Sequence, residues 1–269
     1  MQGASRNSLT AARKSLNEVL DGDVDAATVG EELLAVAGVL GGSAVLRRAL
    51  ADPSREGGER SDLINRLFSG RISDEARSVA RTSVAQRWTR DSHLSLALEE
   101  LAVEAFLANA QRHDRLSQVE DELFRFNRIV GGHSELQAAF TDRRASERAK
   151  SDLVKQLLSD KVAPETLRLT SHAVATRTAR FDRAIESYQK IAAERQSQVT
   201  AVVTSATELS DQQLERMSAA LSKQYGRAVH VNLVVDAAVI GGVRVEIGDE
   251  VIEGTISNRL ADARRHVTR

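Results

Sequence analysis

Apolar residues recur every three or four positions along the first part of the chain, up to Arg195. Leu63 and Leu67 show this spacing, and Leu153 and Leu157 repeat it further on. Such a recurrence places apolar side chains on one face of an α-helix. We therefore expect this part of the chain to form amphipathic helices that pack against one another.

The period changes to alternation in the last part of the chain. Apolar and polar residues alternate from Val199 to Val203, from Val229 to Leu233 and from Val243 to Ile247. Alternation places every second side chain on the same face of a β-strand. Ser210 and Gln213 stand at the spacing of a capping box, which predicts a helix between the first two strands. A small α/β module is therefore expected here.

Shorter signals complete the prediction for this module. Gly241-Gly242 separates two strands, and Gly248-Asp249 is a turn signal. Val251 and Ile252 predict a short return strand, and Ile256 begins a predicted terminal helix that is rich in arginine. The Gly241-Gly242 pair leads into a strand and lacks the helix N-terminus that binds phosphate, so we expect a backbone role for it.

The helical part repeats itself with a period of 90 residues. This shift places residues 29–87 on residues 119–177 without a gap, and 17 of the 59 aligned positions are identical. The identities pair Glu32-Leu33 with Glu122-Leu123, Gly41-Gly42 with Gly131-Gly132, Asp52 with Asp142, and Ser61-Asp62-Leu63 with Ser151-Asp152-Leu153. The period is longer than the units of about 33–34 residues in common helical arrays. Each unit is therefore expected to be a small domain, duplicated once.

Helix boundaries fall at matching places in the two units. Ser73-Asp74-Glu75 and Ala163-Pro164-Glu165 predict helix starts, because acids suit the helix dipole and proline suits the first turn. The two glycine pairs are expected to act as C-caps or tight turns between helices. One further stripe of apolar residues is expected to close the first bundle and open the second: Leu94, Leu98, Leu101, Ala105 and Ala108.

These patterns predict a mainly α protein, with two duplicated helical bundle units followed by a small C-terminal α/β module. We expect an N-terminal bundle over residues 1–105, a second bundle over 106–195 and the α/β module over 196–269. A chain of 269 residues can hold several cores, because domains usually span about 100–200 residues.

The composition favours proteins as partners. The 37 basic and 38 acidic residues nearly balance, so no overall field attracts nucleic acid or an anionic membrane. Cysteine is absent, which excludes disulfides and thiol chemistry, and aromatic residues make up only 3%. The longest apolar run, Leu33 to Leu40, is far shorter than the roughly 20 residues that cross a bilayer, and no signal peptide is predicted.

No constellation of residues indicates chemistry. The six histidines are scattered, and none pairs with another at the spacing of a helical metal site. A phosphate-binding loop and a G-x-S-x-G motif are both absent. Carboxylate pairs such as Glu99-Glu100 suit a solvated helix face, and the arginines near the end suit a final helix turn. We predict no catalytic residue, no metal site and no cofactor.

The stretch from Asn232 to Leu260 resembles the C-terminal signature of the F-type ATP synthase delta subunit family, which includes the oligomycin sensitivity-conferring protein. Leu209 to Met217 is similar to a helix of that family, and Ser5-Arg6 is similar to its opening helix, although the usual tyrosine is absent. The chain exceeds the common form by one repeat unit, as expected of an enlarged, actinobacterial type. The signature residues are Asp236, Gly241, Gly242, Gly248, Asp249 and Gly254.

The resemblance implies a stator protein that makes and breaks no bonds. Members of the family link the catalytic alpha/beta head to the membrane-anchored b subunit and resist the torque of the rotor. A helical groove takes the N-terminal helix of an alpha subunit, and the C-terminal module holds the end of the b subunit. The implied location is peripheral, at the cytoplasmic face of the plasma membrane, without insertion into the bilayer and without a nucleic-acid partner.

The resemblance also suggests where the groove lies. If it runs between the first and fifth helices, its liners are Leu9, Ala12, Leu16, Val79 and Val84. Val174 takes the place of Val84 in the second unit, so either unit or both can be the binding unit. Each of these residues also suits an ordinary helical core.

Two other classes stay open at this point. A helical adaptor with an RNA-binding module would use the strands and the basic end of the chain, and its RNA binding would depend strongly on salt. An enzyme with an unusual site would need a cleft of titratable residues, and the sequence displays none.

Overall fold

The structure is a computed structural model, which describes residues 3–142, 144–176, 180–196, 199–225, 229–237, 239, 241–247 and 250–253. The helices of this part are α1 (Ala4–Leu20), α2 (Ala26–Gly42), α3 (Ala44–Ala51), α4 (Gly57–Phe68), α5 (Asp74–Ala85), α6 (Asp91–Arg112), α7 (Leu116–Gly132), α8 (Ser134–Thr141), α9 (Glu147–Leu158), α10 (Pro164–Ala175), α11 (Phe181–Gln196) and α12 (Asp211–Tyr225). The strands are β1 (Val199–Ser205), β2 (Val229–Val235), β3 (Val243–Ile247) and β4 (Glu250–Glu253). The predicted fold class, mainly α with a small α/β module, is confirmed.

The chain divides into two compact parts. Residues 1–193 form the part that we call the helical body, and residues 194–269 contain the C-terminal module. No single helix of the described residues is long and apolar enough to span a membrane, and α2 with α3 meets that test only as a pair bent by 108°.

The duplication is visible in the helix boundaries. The second set of helices, α7 to α10, begins 90 residues after the first set, α2 to α5: Ala26 with Leu116, Ala44 with Ser134, Gly57 with Glu147, and Asp74 with Pro164. We call α1 to α6 the first unit and α6 to α11 the second unit, because α6 takes part in both. It closes the first unit and occupies the place of α1 in the second.

Helix α6 contributes one face to each of two hydrophobic cores. The predicted stripe from Leu94 to Ala108 lies in the core of the first unit. Val103, Phe106 and Leu107 lie in the core of the second unit. All residues of 101–110 are buried, so this segment is surrounded by protein on every side. The predicted stripe therefore belongs to the first core alone, other residues of α6 reach the second core, and the expected domain boundary at 105/106 falls inside this helix.

Polar residues of α6 are paired where they are buried. Glu104 accepts a hydrogen bond of 2.5 Å from Arg13 of α1. At the end of α6, the guanidinium of Arg112 donates to the carbonyl oxygens of Leu20, Gly22 and Val24, which follow or end α1. The bond to Leu20 satisfies a carbonyl group that the end of α1 leaves without a helical partner. They tie α1 to the shared helix.

A capping arrangement is repeated in both units. Glu32 of α2 accepts from the backbone N–H of Ser73 at 3.0 Å, at the start of α5. Glu122 of α7 accepts from the N–H of Ala163 at 2.9 Å and from Thr166 Oγ1 at 2.5 Å, at the start of α10. A carboxylate at a helix N-terminus satisfies free N–H groups and suits the helix dipole. The repeated Glu32 and Glu122 thus dock the fifth helix of each unit.

The two glycine pairs end their helices in a way that differs from the expectation. Gly41-Gly42 and Gly131-Gly132 are the last residues of α2 and α7, and none of these four glycines has a positive φ. They are therefore neither left-handed C-caps nor tight turns. The chain leaves α2 through Ser43 in an extended conformation, while Arg47 donates to the carbonyl oxygens of Leu40 and Gly41 at the helix end. Gln137 makes the matching bond to Gly131.

The C-terminal module is a four-stranded mixed sheet with the order β2-β1-β3-β4. Strand β1 pairs in parallel with β2 and antiparallel with β3, so that Ser205 is opposite Val235 on one side and Val243 on the other. Helix α12 connects β1 to β2 and packs Leu221 against the sheet core. The capping box at Ser210 and Gln213 is confirmed by reciprocal hydrogen bonds. The predicted terminal helix lies outside the described residues.

The close approach of α2 and α6 supplies a test of the packing. Gly30 of α2 faces the buried ring of Phe106, and an added Cβ at Gly30 would lie 2.9 Å from Phe106 Cε1. Gly38 of the same helix has open space around it. Gly38→Ala is expected to raise the free energy of unfolding by about 0.5–1 kcal/mol, because alanine is the better helix former. Gly30→Ala is expected to lower it by about 1–3 kcal/mol through overpacking.

Chemical denaturation of the two variants beside the parent chain checks this expectation. Gly38→Ala serves as the matched control for helix propensity. Equal stabilisation by both substitutions would contradict the described contact between α2 and α6.

Candidate protein-binding site

Three serine hydroxyls of α1 join this helix to α5 and to the loop that follows α5. Ser8 Oγ donates to the carbonyl oxygen of Arg87 at 2.5 Å, and Ser15 Oγ donates to Thr82 Oγ1 at 3.2 Å. Ser5 continues the row by donating to Thr89 Oγ1 at 3.0 Å. The three serines are buried. We call this line of contact the first seam.

The five expected groove residues lie beneath this seam. Leu9 is 6% exposed, and the other four, Ala12, Leu16, Val79 and Val84, are fully buried. All of them belong to the core of the first unit. In this packing they support the seam from below.

The rim of the first seam consists of other residues. Ala11 and Lys14 of α1 and Ser78 and Thr82 of α5 occupy the outward faces next to it, and Lys14 and Ser78 are exposed. These four residues were not among the expected groove residues, which are all apolar. The available signal was that three of the four, Ala11, Ser78 and Thr82, are small and lie beside the apolar stripes of α1 and α5.

The signature residues of the C-terminal module divide into two groups. Asp236 follows β2, and its N–H donates to the carbonyl oxygen of Ser205 at 2.8 Å, at the end of β1. Gly241 and Gly242 have φ values of 64° and 80°, which L side chains rarely adopt, so the predicted backbone role of this pair is confirmed. The remaining three, Gly248, Asp249 and Gly254, lie outside the described residues.

The second unit holds a buried polar cluster. Glu165 at the start of α10 accepts hydrogen bonds of 2.6 Å from Asn109 of α6 and from Arg115. Burial raises the pKa of Glu165, but the hydrogen bonds from Arg115 and Asn109 outweigh burial and lower the pKa overall. The hydrogen bond to Glu165 in turn raises the pKa of Arg115. This cluster links α10 to the shared helix.

A second polar pair lies between α10 and α11. The Oη of Tyr188 is 2.6 Å from Nδ1 of His172, and the two rings stack with centroids 6.2 Å apart. Burial lowers the pKa of His172 to about 4, so the ring is neutral near pH 7 and shares a hydrogen bond with the tyrosine hydroxyl. Burial, with Glu99 nearby, raises the pKa of Tyr188.

These groups act as structural links between helices. Each shifted group described above bonds to a neighbouring helix. Within the described ranges, no group of three or more histidine, aspartate or glutamate side chains is arranged to hold a metal ion. The arrangement therefore offers helix surfaces and the seams between helices for binding.

The fold defines the class of protein: a duplicated helical body joined to a small α/β module, with helix surfaces available for binding. A family profile described as ATP synthase delta (OSCP) subunit matches residues 103–267. ATP synthase subunit delta of Parafrankia sp. is 46% identical over 100% of both chains. The same subunit of Streptomyces coelicolor is 45% identical over 99% of this chain and 98% of its own. The chain belongs to the ATP synthase delta (OSCP) subunit family.

The extent of these matches explains the size of the chain. The profile begins at Val103, inside α6, and so covers most of the second unit and the C-terminal module. The actinobacterial relatives also match the first unit, because they align over nearly the whole chain. The predicted enlarged, actinobacterial type is confirmed. A chain of the Toxoplasma gondii mitochondrial ATP synthase hexamer covers 62% of this chain and 95% of its own at 18% identity, with a TM-score of 0.27, too low for a structural comparison.

The pKa of His172 generates a prediction about stability. Because the folded pKa of about 4 lies below the ordinary value of 6.5, the unfolded chain binds this proton more readily. Stability from this group is therefore complete above pH 6.5 and is lost as the pH falls towards 4. The loss is expected to reach about 2–3 kcal/mol. Denaturation at several pH values between 7 and 5 measures most of this loss of unfolding free energy. This range stays above the pH at which Glu165 is protonated.

Two variants test whether His172 causes this change of the unfolding free energy with pH. His172→Gln is expected to remove most of the change in unfolding free energy between pH 7 and 5. His133→Gln, at an exposed histidine, serves as the control and is expected to leave the slope unchanged. An unaltered slope in His172→Gln would show that another group is responsible.

Proposed function

We propose that this chain is a stator protein of the F-type ATP synthase, which links the catalytic alpha/beta head to the b subunit and resists rotor torque during proton-driven ATP synthesis. The observation that carries the proposal is the identity of 46% with a delta subunit over the full length of both chains. The proposed role is non-catalytic, and the protein performs it through binding.

The construction of the helical body suits such a role. Helix α6 has 22 residues and belongs to both cores, so the two units share one continuous element in place of a linker. Arg112 and the Asn109–Glu165 bond attach further helices to it. A protein that bears load between two partners needs this kind of stiffness, because a compliant connection would move with the rotor.

The proposed partners occupy different parts of the chain. The helical body is proposed to receive the N-terminal helix of an alpha subunit, in the manner of an amphipathic helix in a groove. The C-terminal module is proposed to hold the end of the b subunit. The protein would then lie at the cytoplasmic face of the plasma membrane, held there by its partners.

Reconstitution tests the proposed role. Membrane vesicles depleted of the delta subunit are expected to regain ATP-driven proton pumping when the full chain is added, with saturation near one chain per synthase. Proton pumping is measured by the quenching of a pH-sensitive dye. Full-length chain that rebinds to the vesicles without restoring pumping would contradict the stator role.

RNA binding by the full chain tests the alternative class, a helical adaptor with an RNA-binding module. We expect the chain to show no salt-dependent binding of labelled single-stranded RNA. Binding that weakens as salt is added would indicate contacts with phosphates. Binding that falls steeply between low and moderate salt would instead favour the adaptor class.

A further inference from the structure

Strand β2 lies at one edge of the sheet in the C-terminal module, where its only neighbour among the described strands is β1. The N–H of Asp236, directly after β2, donates to Ser205 at the end of β1. In a parallel pair, alternate residues of a strand direct their N–H and C=O groups to opposite sides. Every second residue back from Asp236 therefore bonds to β1. The residues between them face away from the sheet, and we call them the three outward residues: Val231, Leu233 and Val235.

Helix α12 closes the first position of this outer edge. Ser222 Oγ accepts a hydrogen bond of 2.9 Å from the N–H of Val229, and Ser218 Oγ donates to the C=O of Val229 at 2.6 Å. Both backbone groups of Val229 thus point outward, as the alternation requires. Beyond Val229, no described residue lies hydrogen bonded to the outer edge. The backbone groups of the three outward residues are available to another chain.

The two edges of the sheet differ in how they are protected. Strand β4 has four residues with a glutamate at each end, and short, charged edge strands discourage pairing with another chain. Strand β2 has seven residues, VHVNLVV, without an aspartate, glutamate, lysine, arginine or proline. Val234 and Val235 are 47% and 51% exposed. An uncharged, apolar edge of this kind is a template for an added strand.

A buried polar atom on β2 also lacks a partner. Asn232 Oδ1 is buried and accepts no hydrogen bond from the described residues. Val231 and Leu233 pack against the core beneath α12, so alternation places Asn232 on the opposite face of the sheet. Side chains on neighbouring strands contact one another across such a face. A hydroxyl or amide side chain on an added strand would therefore satisfy this atom.

We propose that the outer edge of β2 receives an extended segment of the b subunit as an additional strand, hydrogen bonded to the three outward residues. The segment is uncharged where it runs along the edge, and it places a hydroxyl or amide side chain beside Asn232. This inference rests on the proposed function for the identity of the partner. It adds the strand that binds the partner and the conformation in which the partner is bound.

The chemistry of the edge favours the end of a chain in extended form. A segment with charged side chains would lose hydration at this edge without gaining a charged partner, so an uncharged segment is favoured. An edge strand is open along one whole side, so a chain end can be laid on it without threading through the fold. Hydrogen bonds spaced along the added strand would share a pull directed along it, which suits an attachment that bears load.

Hydrogen exchange followed by NMR tests the edge in the full chain. Without a partner, the N–H groups of the three outward residues are expected to exchange faster than those of Val229 and Val234, which have acceptors. A synthetic peptide of the C-terminal segment of the b subunit from the same synthase is then added. Exchange at the three outward residues is expected to slow about ten-fold or more, because each N–H gains an acceptor. Peptide binding that leaves all three unchanged would overturn the inference.

Two substitutions at Val235 separate backbone pairing from side-chain contact. Val235→Pro removes an outward N–H that the sheet does not use, and an edge strand tolerates proline at such a position. It is expected to weaken peptide binding, measured by calorimetry, about ten-fold or more. Val235→Thr keeps the N–H and the branched shape, and its affinity is expected to stay within about three-fold of the parent. Equal losses in both variants, or none in Val235→Pro, would contradict backbone pairing.

The outcomes separate this inference from the proposed function. A parent chain that restores proton pumping, but does not bind the peptide at this edge, would overturn the inference and leave the stator role standing. Protection of the edge in a chain that fails to restore pumping would contradict the stator role alone. Thermal denaturation checks that both variants are folded. If Val235→Pro does not fold, hydrogen exchange in the parent chain still decides the question.

A second copy of the chain is the competing occupant. The three outward residues are symmetric about Leu233, so two β2 strands can pair antiparallel, with Val231 opposite Val235 of the other copy. Sedimentation of the parent chain without peptide is expected to show a monomer at micromolar concentration. A dimer that dissociates in Val235→Pro and persists in Val235→Thr would assign the edge to a second copy and overturn the inference.

Discussion

The burial of α6 on every side is the constraint on which the helical body depends. A helix with one apolar stripe can serve one core, whereas α6 must satisfy two, and residues 101–110 are buried throughout. Burial of polar groups in such a segment is costly unless they are paired. Glu104 with Arg13 and Asn109 with Glu165 meet this requirement. These ion pairs and hydrogen bonds therefore also hold the neighbouring helices in place.

The two units share some contacts and differ in others. Glu32 and Glu122 cap the fifth helix of their units in the same way. The aromatic contacts differ. In the second core, neighbouring ring centroids lie about 6 Å apart along Phe126, Phe140 and Phe181. The matching positions of the first unit are Val36, Leu50 and Asp91. Each unit thus keeps the backbone arrangement and fills its core independently, as expected when volume and pattern constrain a core more than residue identity.

Much of the fold could be predicted from the sequence, because the signals were local. Helix starts at Ser73 and Pro164, the capping box at Ser210 and the alternation in β3 all act within a few residues. The first seam could not be predicted in this way, since it depends on which helices become neighbours. Leu9 and Val79 were expected as groove residues from the resemblance, and their apolar character also suits a core, so the sequence alone does not separate the two roles. The close approach of α2 and α6 depends on Gly30 meeting Phe106 across 76 positions of the chain.

The ion pair between Glu31 and Arg168 joins two residues of one polypeptide. A contact between separate subunits changes safely only when two genes change together. Here a substitution at either residue can be compensated within a single reading frame. The contact between α2 of the first unit and α10 of the second can therefore drift and be repaired without a change in any other protein.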